Sequence, residues 1–69
     1  MQLEHGDLVY IPQDVFLYSS SRRYRTKKPL TALYLEEKPE NFTLEVLVAG
    51  TKMNVRKNHV YPLKEKIDD

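Results

Sequence analysis

Between Phe42 and Arg56 the side chains alternate in character with a period of two, and this stretch constrains the fold more than any other. Phe42, Leu44, Val46 and Val48 fall on one side, against Thr43, Glu45 and Leu47 on the other. After Ala49-Gly50, the segment Thr51 to Arg56 returns with Met53 and Val55 inward and Lys52, Asn54 and Arg56 outward. Such alternation predicts an antiparallel hairpin in a sheet packed on one face. Gly50 suits the short connection, because tight hairpin turns demand positive φ.

The rest of the chain also reads as strands. No window carries apolar residues at helical spacing without a Pro or a β-branched run interrupting it. Asp7 to Ile11 follows Gly6 and stops at Pro12, which lacks the amide hydrogen a ladder needs. Val15 to Tyr18 is a second, shorter strand or an extended arm. Ser19 to Pro29 reads as a long irregular connection, Leu30 to Glu36 as a strand apolar on both faces, and Glu37 to Asn41 as a turn. Lys57-Asn58-His59 suggests one tight helical turn, and Val60 to Leu63 a closing strand.

With 69 residues there is room for one domain, and a chain of this size buries only about 60% of the surface it exposes when unfolded. It contains no Cys, which excludes disulfides and Cys-ligated zinc and leaves apolar packing, helped by any oligomerisation, to hold the fold. This fits a reducing compartment. Met1 to Asp7 has neither the basic start nor the apolar stretch of a signal peptide. No apolar run approaches the ~18 residues of a membrane span, so a cytoplasmic location is expected. Asn41-Phe42-Thr43 matches the N-glycosylation pattern, but without secretion it reads as a turn leading into a strand.

The order of features resembles a known family. Gly6-Asp7-Leu8-Val9-Tyr10-Ile11-Pro12, Val15-Phe16-Leu17-Tyr18, Lys28-Pro29-Leu30 with Leu33 to Glu36, a hairpin with Gly50, and Val55-Arg56-Lys57-Asn58-His59-Val60-Tyr61 together look like the small Src-homology-3-like (SH3-like) barrel proteins of tailed bacteriophages. The resemblance spans Gly6 to Leu63. It implies a viral or bacterial cytoplasm, but no particular activity, since most of those proteins have no known function and fold alone does not supply one. The expectation is an all-β protein: a single five-strand SH3-like small barrel with one short helical turn before the last strand, occupying residues 1–63, with a frayed charged tail at 64–69.

Charge is unevenly spread. Ser19 to Lys28 holds Arg22, Arg23, Arg25, Lys27 and Lys28 and no acid, so this segment is +5 in a chain of net +1, leaving −4 on the other 59 residues. Guanidiniums fork onto phosphates, Tyr24 offers a face for base stacking, and hydroxyls from Ser19, Ser20, Ser21 and Thr26 lie nearby. Five phosphate contacts would give log affinity a salt slope of about −4 to −5 on duplex DNA. The same composition also describes a solvated loop kept positive for solubility.

Other chemistry finds less purchase. Tyr10, Tyr34 and Tyr61 read as caps on the core with wet hydroxyls, rather than as a cage for methylated cations. A proline-rich peptide site needs a Trp and an acidic long loop, and this chain has no Trp and a basic loop. His5 and His59 are far apart in sequence with no partner residues near either, and the serine triplet has no local base, so no enzyme is expected. Glu36, Glu37 and Glu40 lack the dense oxygen spacing of a calcium loop, so no metal or other cofactor is expected.

These observations lead to a non-enzymatic binding module with nucleic acid as its expected partner, through Arg22, Arg23, Tyr24, Arg25, Lys27 and Lys28. The alternative is a protein-interaction or phage assembly accessory module. It would dock another protein or a second copy by a sheet face or edge strand, using surplus apolar surface where Ala32 and Tyr34 oppose Leu33 and Leu35.

Overall fold

The structure, a computed structural model, describes residues 3–39 and 42–63. Among the described residues it is all-β, with 3₁₀ geometry at Pro39 and at Lys57–His59. In chain order the elements are β1 (Leu8–Ile11), β2 (Phe16–Tyr18), β3 (Arg23–Arg25), β4 (Leu30–Lys38), β5 (Thr43–Val48), β6 (Thr51–Arg56), the 3₁₀ turn Lys57–His59 and β7 (Tyr61–Pro62). They form one antiparallel sheet in the order β3-β2-β6-β5-β4-β1-β7. The strands number seven rather than five, and β3 and β7 are the two ends of a sheet that does not close on itself among the described residues.

The extra strands have local causes. Val15 to Tyr18 supplies a true strand, β2, and the basic segment expected to be irregular folds back on it as β3. Phe16 pairs with Arg25, Leu17 with Tyr24 and Tyr18 with Arg23. The hairpin turn is closed by the Ser19 amide, which donates to the Arg22 carbonyl at 2.8 Å. Thr26 fastens its base. The buried Thr26 hydroxyl donates to the Pro12 carbonyl at 2.8 Å and accepts from the Val15 amide at 3.0 Å, while the Thr26 amide donates to the Val15 carbonyl at 2.9 Å. A hydroxyl that looked available to a ligand is instead a structural clip.

The long central strand β4 serves two partners. Leu30 to Leu33 pair with β1, and Leu33 to Lys38 pair with β5 across a register shift between Tyr34 and Glu36. A bulge of this kind bends a strand, and here it lets one strand belong to both halves of a curved sheet. Leu35 takes no partner in that register, and its carbonyl lies 3.2 Å from Nδ1 of His5.

The core lies on the inner face. Val9, Ile11, Val15, Leu17, Ala32, Tyr34, Leu44, Val46, Val55 and Val60 are buried together, with Leu3, Leu30, Val48 and Met53 packed against them. The alternation of β5 and β6 is therefore real for Leu44, Val46 and Val55. Phe42 departs from it. The strand begins at Thr43, and Phe42 sits in the preceding turn at φ 55° with 71% of its surface exposed. Its amide donates to the Pro39 carbonyl at 3.3 Å and its carbonyl accepts from the Lys57 amide at 2.9 Å, which holds the side chain out of the core.

The β5–β6 hairpin closes where Val48 pairs with Thr51, with Ala49 and Gly50 at φ 49° and 82°. Two consecutive left-handed residues are what a tight two-residue hairpin turn uses. The 3₁₀ turn falls where expected and leads into β7, which pairs with β1. Pro62 is tolerated there because β7 is an edge strand. The expected turn at Glu37 to Asn41 is shortened, since β4 runs on to Lys38. Asn41 and Glu40, with the 64–69 tail, lie outside the described residues.

Candidate functional site

Residues paired across an antiparallel ladder point to the same face, so the register reads the outer surface directly. Leu17 is buried, so its neighbours Phe16 and Tyr18 face outward, and with them their partners Arg25 and Arg23. Leu17 pairs with Val55 and Tyr18 with Asn54, and continuing that register by one residue sets Phe16 beside Arg56. Arg56 in turn pairs with Thr43, and Thr43 with Lys38. One row across the outer face therefore runs Arg25, Phe16, Arg56, Thr43, Lys38 and contains no acid. The next runs Arg23, Tyr18, Asn54, Glu45, Glu36. Lys52 lies beyond, paired with Leu47.

The β3–β2–β6 end of this face gathers Arg23, Arg25 and Arg56 around two exposed rings, Phe16 and Tyr18, and a fourth cation, Lys52, lies further along β6 beside Glu45 and Glu36. The guanidinium carbon of Arg23 sits 4.9 Å from the centre of the Phe16 ring, a cation–π distance that orders both groups. Among the described residues only Arg25 of these four is ion-paired, to Asp14 at 3.8 Å. Both partners are about two-thirds solvent-exposed, so the pair is weak and easily exchanged for another anion.

The basic segment is thus divided. Arg23 and Arg25 come together on the outer face, whereas Tyr24 lies on the opposite side of β3, on the face of Leu17. There its hydroxyl accepts from Arg22 at 3.4 Å, a contact that raises the guanidinium pKa above its ordinary value. Lys27 and Lys28 are exposed in the bend before β4. Six residues close in sequence do not form one surface. Phe16, Tyr18, Lys52, Asn54 and Arg56 are the members that chain proximity missed. The signal that could have found them is the period of two in Arg23-x-Arg25, matching Phe16-x-Tyr18 and Lys52-x-Asn54-x-Arg56.

Toward the other end the outer face changes character. Glu45 and Glu36 oppose one another across β5 and β4. Beyond them Leu47, Leu33 and Leu8 form a cross-strand apolar row, beside the tilted pair Tyr10 and Tyr61 with ring centres 6.4 Å apart. Leu8, Leu33, Tyr10, Tyr61 and Leu63 are all exposed. Of the three tyrosines expected to cap the core only Tyr34 is buried, while Tyr10 and Tyr61 pair with each other on the surface. Burial raises the Tyr34 pKa, with the charges of Glu37 and Glu36 adding to the rise and Lys57 opposing it. Lys57 is held by Glu37 at 2.7 Å, which ties the 3₁₀ turn to the end of β4.

His5 contacts a backbone carbonyl, and His59 lies in the 3₁₀ turn. Among the described residues no three His, Asp or Glu side chains converge as metal ligands would, and no helix is long and apolar enough to cross a membrane. Comparison with protein-family models, with curated proteins and with solved structures finds no match to this chain.

Proposed function

We propose that this protein is a non-enzymatic, SH3-like module that binds nucleic acid through the outer face of β3, β2 and β6. The observation that carries the reading is the juxtaposition of Arg23, Arg25 and Arg56 with Phe16 and Tyr18, with Lys52 further along the same sheet surface. Cations spaced among exposed rings suit a ligand that alternates phosphates with flat bases. The element order, with a hairpin arm after β1 and a 3₁₀ turn before the last strand, is what favours the SH3-like and phage-type assignment. A bacterial cytoplasm would follow from that assignment.

Salt dependence tests the proposal. Four phosphate contacts give a slope of log affinity against log salt of about −3 on single strands and nearer −4 on duplex DNA. Replacing Arg25 or Arg56 by Ala should flatten the slope by about 0.7 to 0.9. Replacing Lys27 and Lys28, which lie off this face, should change it less. Fluorescence anisotropy with labelled oligonucleotides reads both quantities, and equal effects from the two sets of substitutions would count against the assigned face.

A second reading has its own observation. The exposed Leu8, Leu33, Tyr10, Tyr61 and Leu63 around Leu47 make an apolar patch at the opposite end of the sheet, the surplus surface an interaction or assembly module would cover. Replacing Leu8 and Leu33 with Lys and Glu should then abolish any self-association seen by sedimentation, leaving oligonucleotide binding intact.

A further inference from the structure

We infer that the ligand of this face is a single strand and that Phe42 is the platform on which one of its unpaired bases stacks. This rests on the nucleic-acid reading above. Among the described residues Phe42 is the most exposed of the large apolar side chains, and it holds a left-handed backbone that a bulky residue rarely adopts. Turns that merely reverse the chain use Gly, Asn or Asp at such a position, because a side chain with Cβ is disfavoured there. An aromatic ring kept in water by a disfavoured backbone, with hydrogen bonds to Pro39 and Lys57 on either side, has a use that the fold does not explain.

Its surroundings name the use. Phe42, Arg56, Lys57 and Asn58 line an open groove of about 630 Å³, within the ~300–1,000 Å³ of small-ligand sites. Arg56 belongs to the acid-free row with Arg25, Phe16 and Thr43. From Arg25 to Thr43 that row spans three gaps between strands, about 14 Å at the usual spacing, with Lys38 one strand further on, and Phe42 adjoins Thr43. A strand laid along the row would put phosphates on Arg25 and Arg56 and a base on the Phe42 ring. Asn58, on the groove wall, carries an amide suited to a base edge. A duplex hides its base faces, so stacking of this kind selects single strands.

The test compares wild type with Phe42→Asn, which tolerates the left-handed backbone but lacks the ring, and Phe42→Trp, which keeps a ring. The probes are a 5′-labelled oligo-deoxythymidine, an oligo-uridine and a blunt duplex, each about 12 nucleotides or base pairs long, which fits the site sizes of single-strand binders. Wild type should prefer the single strands. Phe42→Asn should weaken single-strand binding by about 5- to 140-fold with an unchanged salt slope, leave duplex binding as it was, and melt no lower than wild type. Phe42→Trp should restore the affinity. Single-strand affinity unchanged in Phe42→Asn, or duplex preferred by wild type, overturns the inference while sparing the nucleic-acid reading. Absence of binding to all three probes overturns both. Self-association that Phe42→Asn removes would assign the ring to a contact between copies, and would also overturn it.

Discussion

Replacing Thr26 with Val keeps the side-chain shape and deletes one hydroxyl, and the structure states what that hydroxyl does. It accepts from the Val15 amide at 3.0 Å and donates to the Pro12 carbonyl at 2.8 Å, joining the start of β2 to the end of β3 from a buried position. The substitution strands a buried amide and a partly buried carbonyl. At about 1–3 kcal/mol for each buried group left unsatisfied, and less for the carbonyl, the expected loss is about 2–4 kcal/mol. A domain of this size has roughly 3–10 kcal/mol in all. With a urea dependence of about 1 kcal/mol per molar, the denaturation midpoint should fall by about 2–4 M at unchanged slope. Thr26→Ser keeps the hydroxyl and loses one methyl, so it should cost only about 0.8 kcal/mol. Hydrogen exchange at Val15 should accelerate in the Val variant and stay near wild type in the Ser variant. A midpoint within about 0.5 M of wild type for Thr26→Val, or equal losses for Val and Ser, would refute the clip.

Two further substitutions address the sheet. Because burial raises the Tyr34 pKa, the neutral phenol is favoured in the fold; its contribution is complete below the ordinary value of about 10 and is lost as pH rises through the folded value. Stability measured from pH 8 upward should therefore decline at the alkaline end, about pH 10 and above, and Tyr34→Phe should flatten that decline, whereas parallel curves for the two proteins would contradict it. Ala49 holds φ 49° ahead of Gly50, a conformation costing an L-residue roughly 1–2 kcal/mol that Asn bears more easily. Ala49→Asn should raise the melting temperature by about 4 °C or more, and a fall would mean that the turn is not the two-residue type described.

The parts of the fold legible in the sequence are those governed by local alternation. Leu44, Val46 and Val55 report their burial through period two, and Gly50 and the Lys57–His59 turn report their conformation through backbone preference. What eluded the sequence depends on pairing between distant segments. Arg23-Tyr24-Arg25 looks like a loop because nothing within it is apolar, and it becomes a strand only because β2 offers an edge and Thr26 fastens the base. Phe42 fits the alternation perfectly and violates it in space, because the adjoining turn takes a left-handed residue and the Lys57 amide captures its carbonyl. The candidate site was half legible for the same reason. Charge density marks Arg23 and Arg25, but the register that adds Phe16, Tyr18, Lys52 and Arg56 and sends Tyr24 to the other face exists only in the sheet.

The central claim is that one face of this sheet, rather than the basic segment as a whole, meets the ligand. The measurement that tests it most directly is a titration of isotope-labelled protein with a short single-stranded oligonucleotide at low and at physiological salt, following each backbone amide and aromatic ring. Salt-sensitive shifts should appear at Phe16, Tyr18, Arg23, Arg25, Lys52, Asn54 and Arg56 and extend to Phe42, with Tyr24, Lys27 and Lys28 nearly silent. Shifts centred on Tyr24, Lys27 and Lys28, or confined to Leu8, Leu33 and Tyr61, would contradict it.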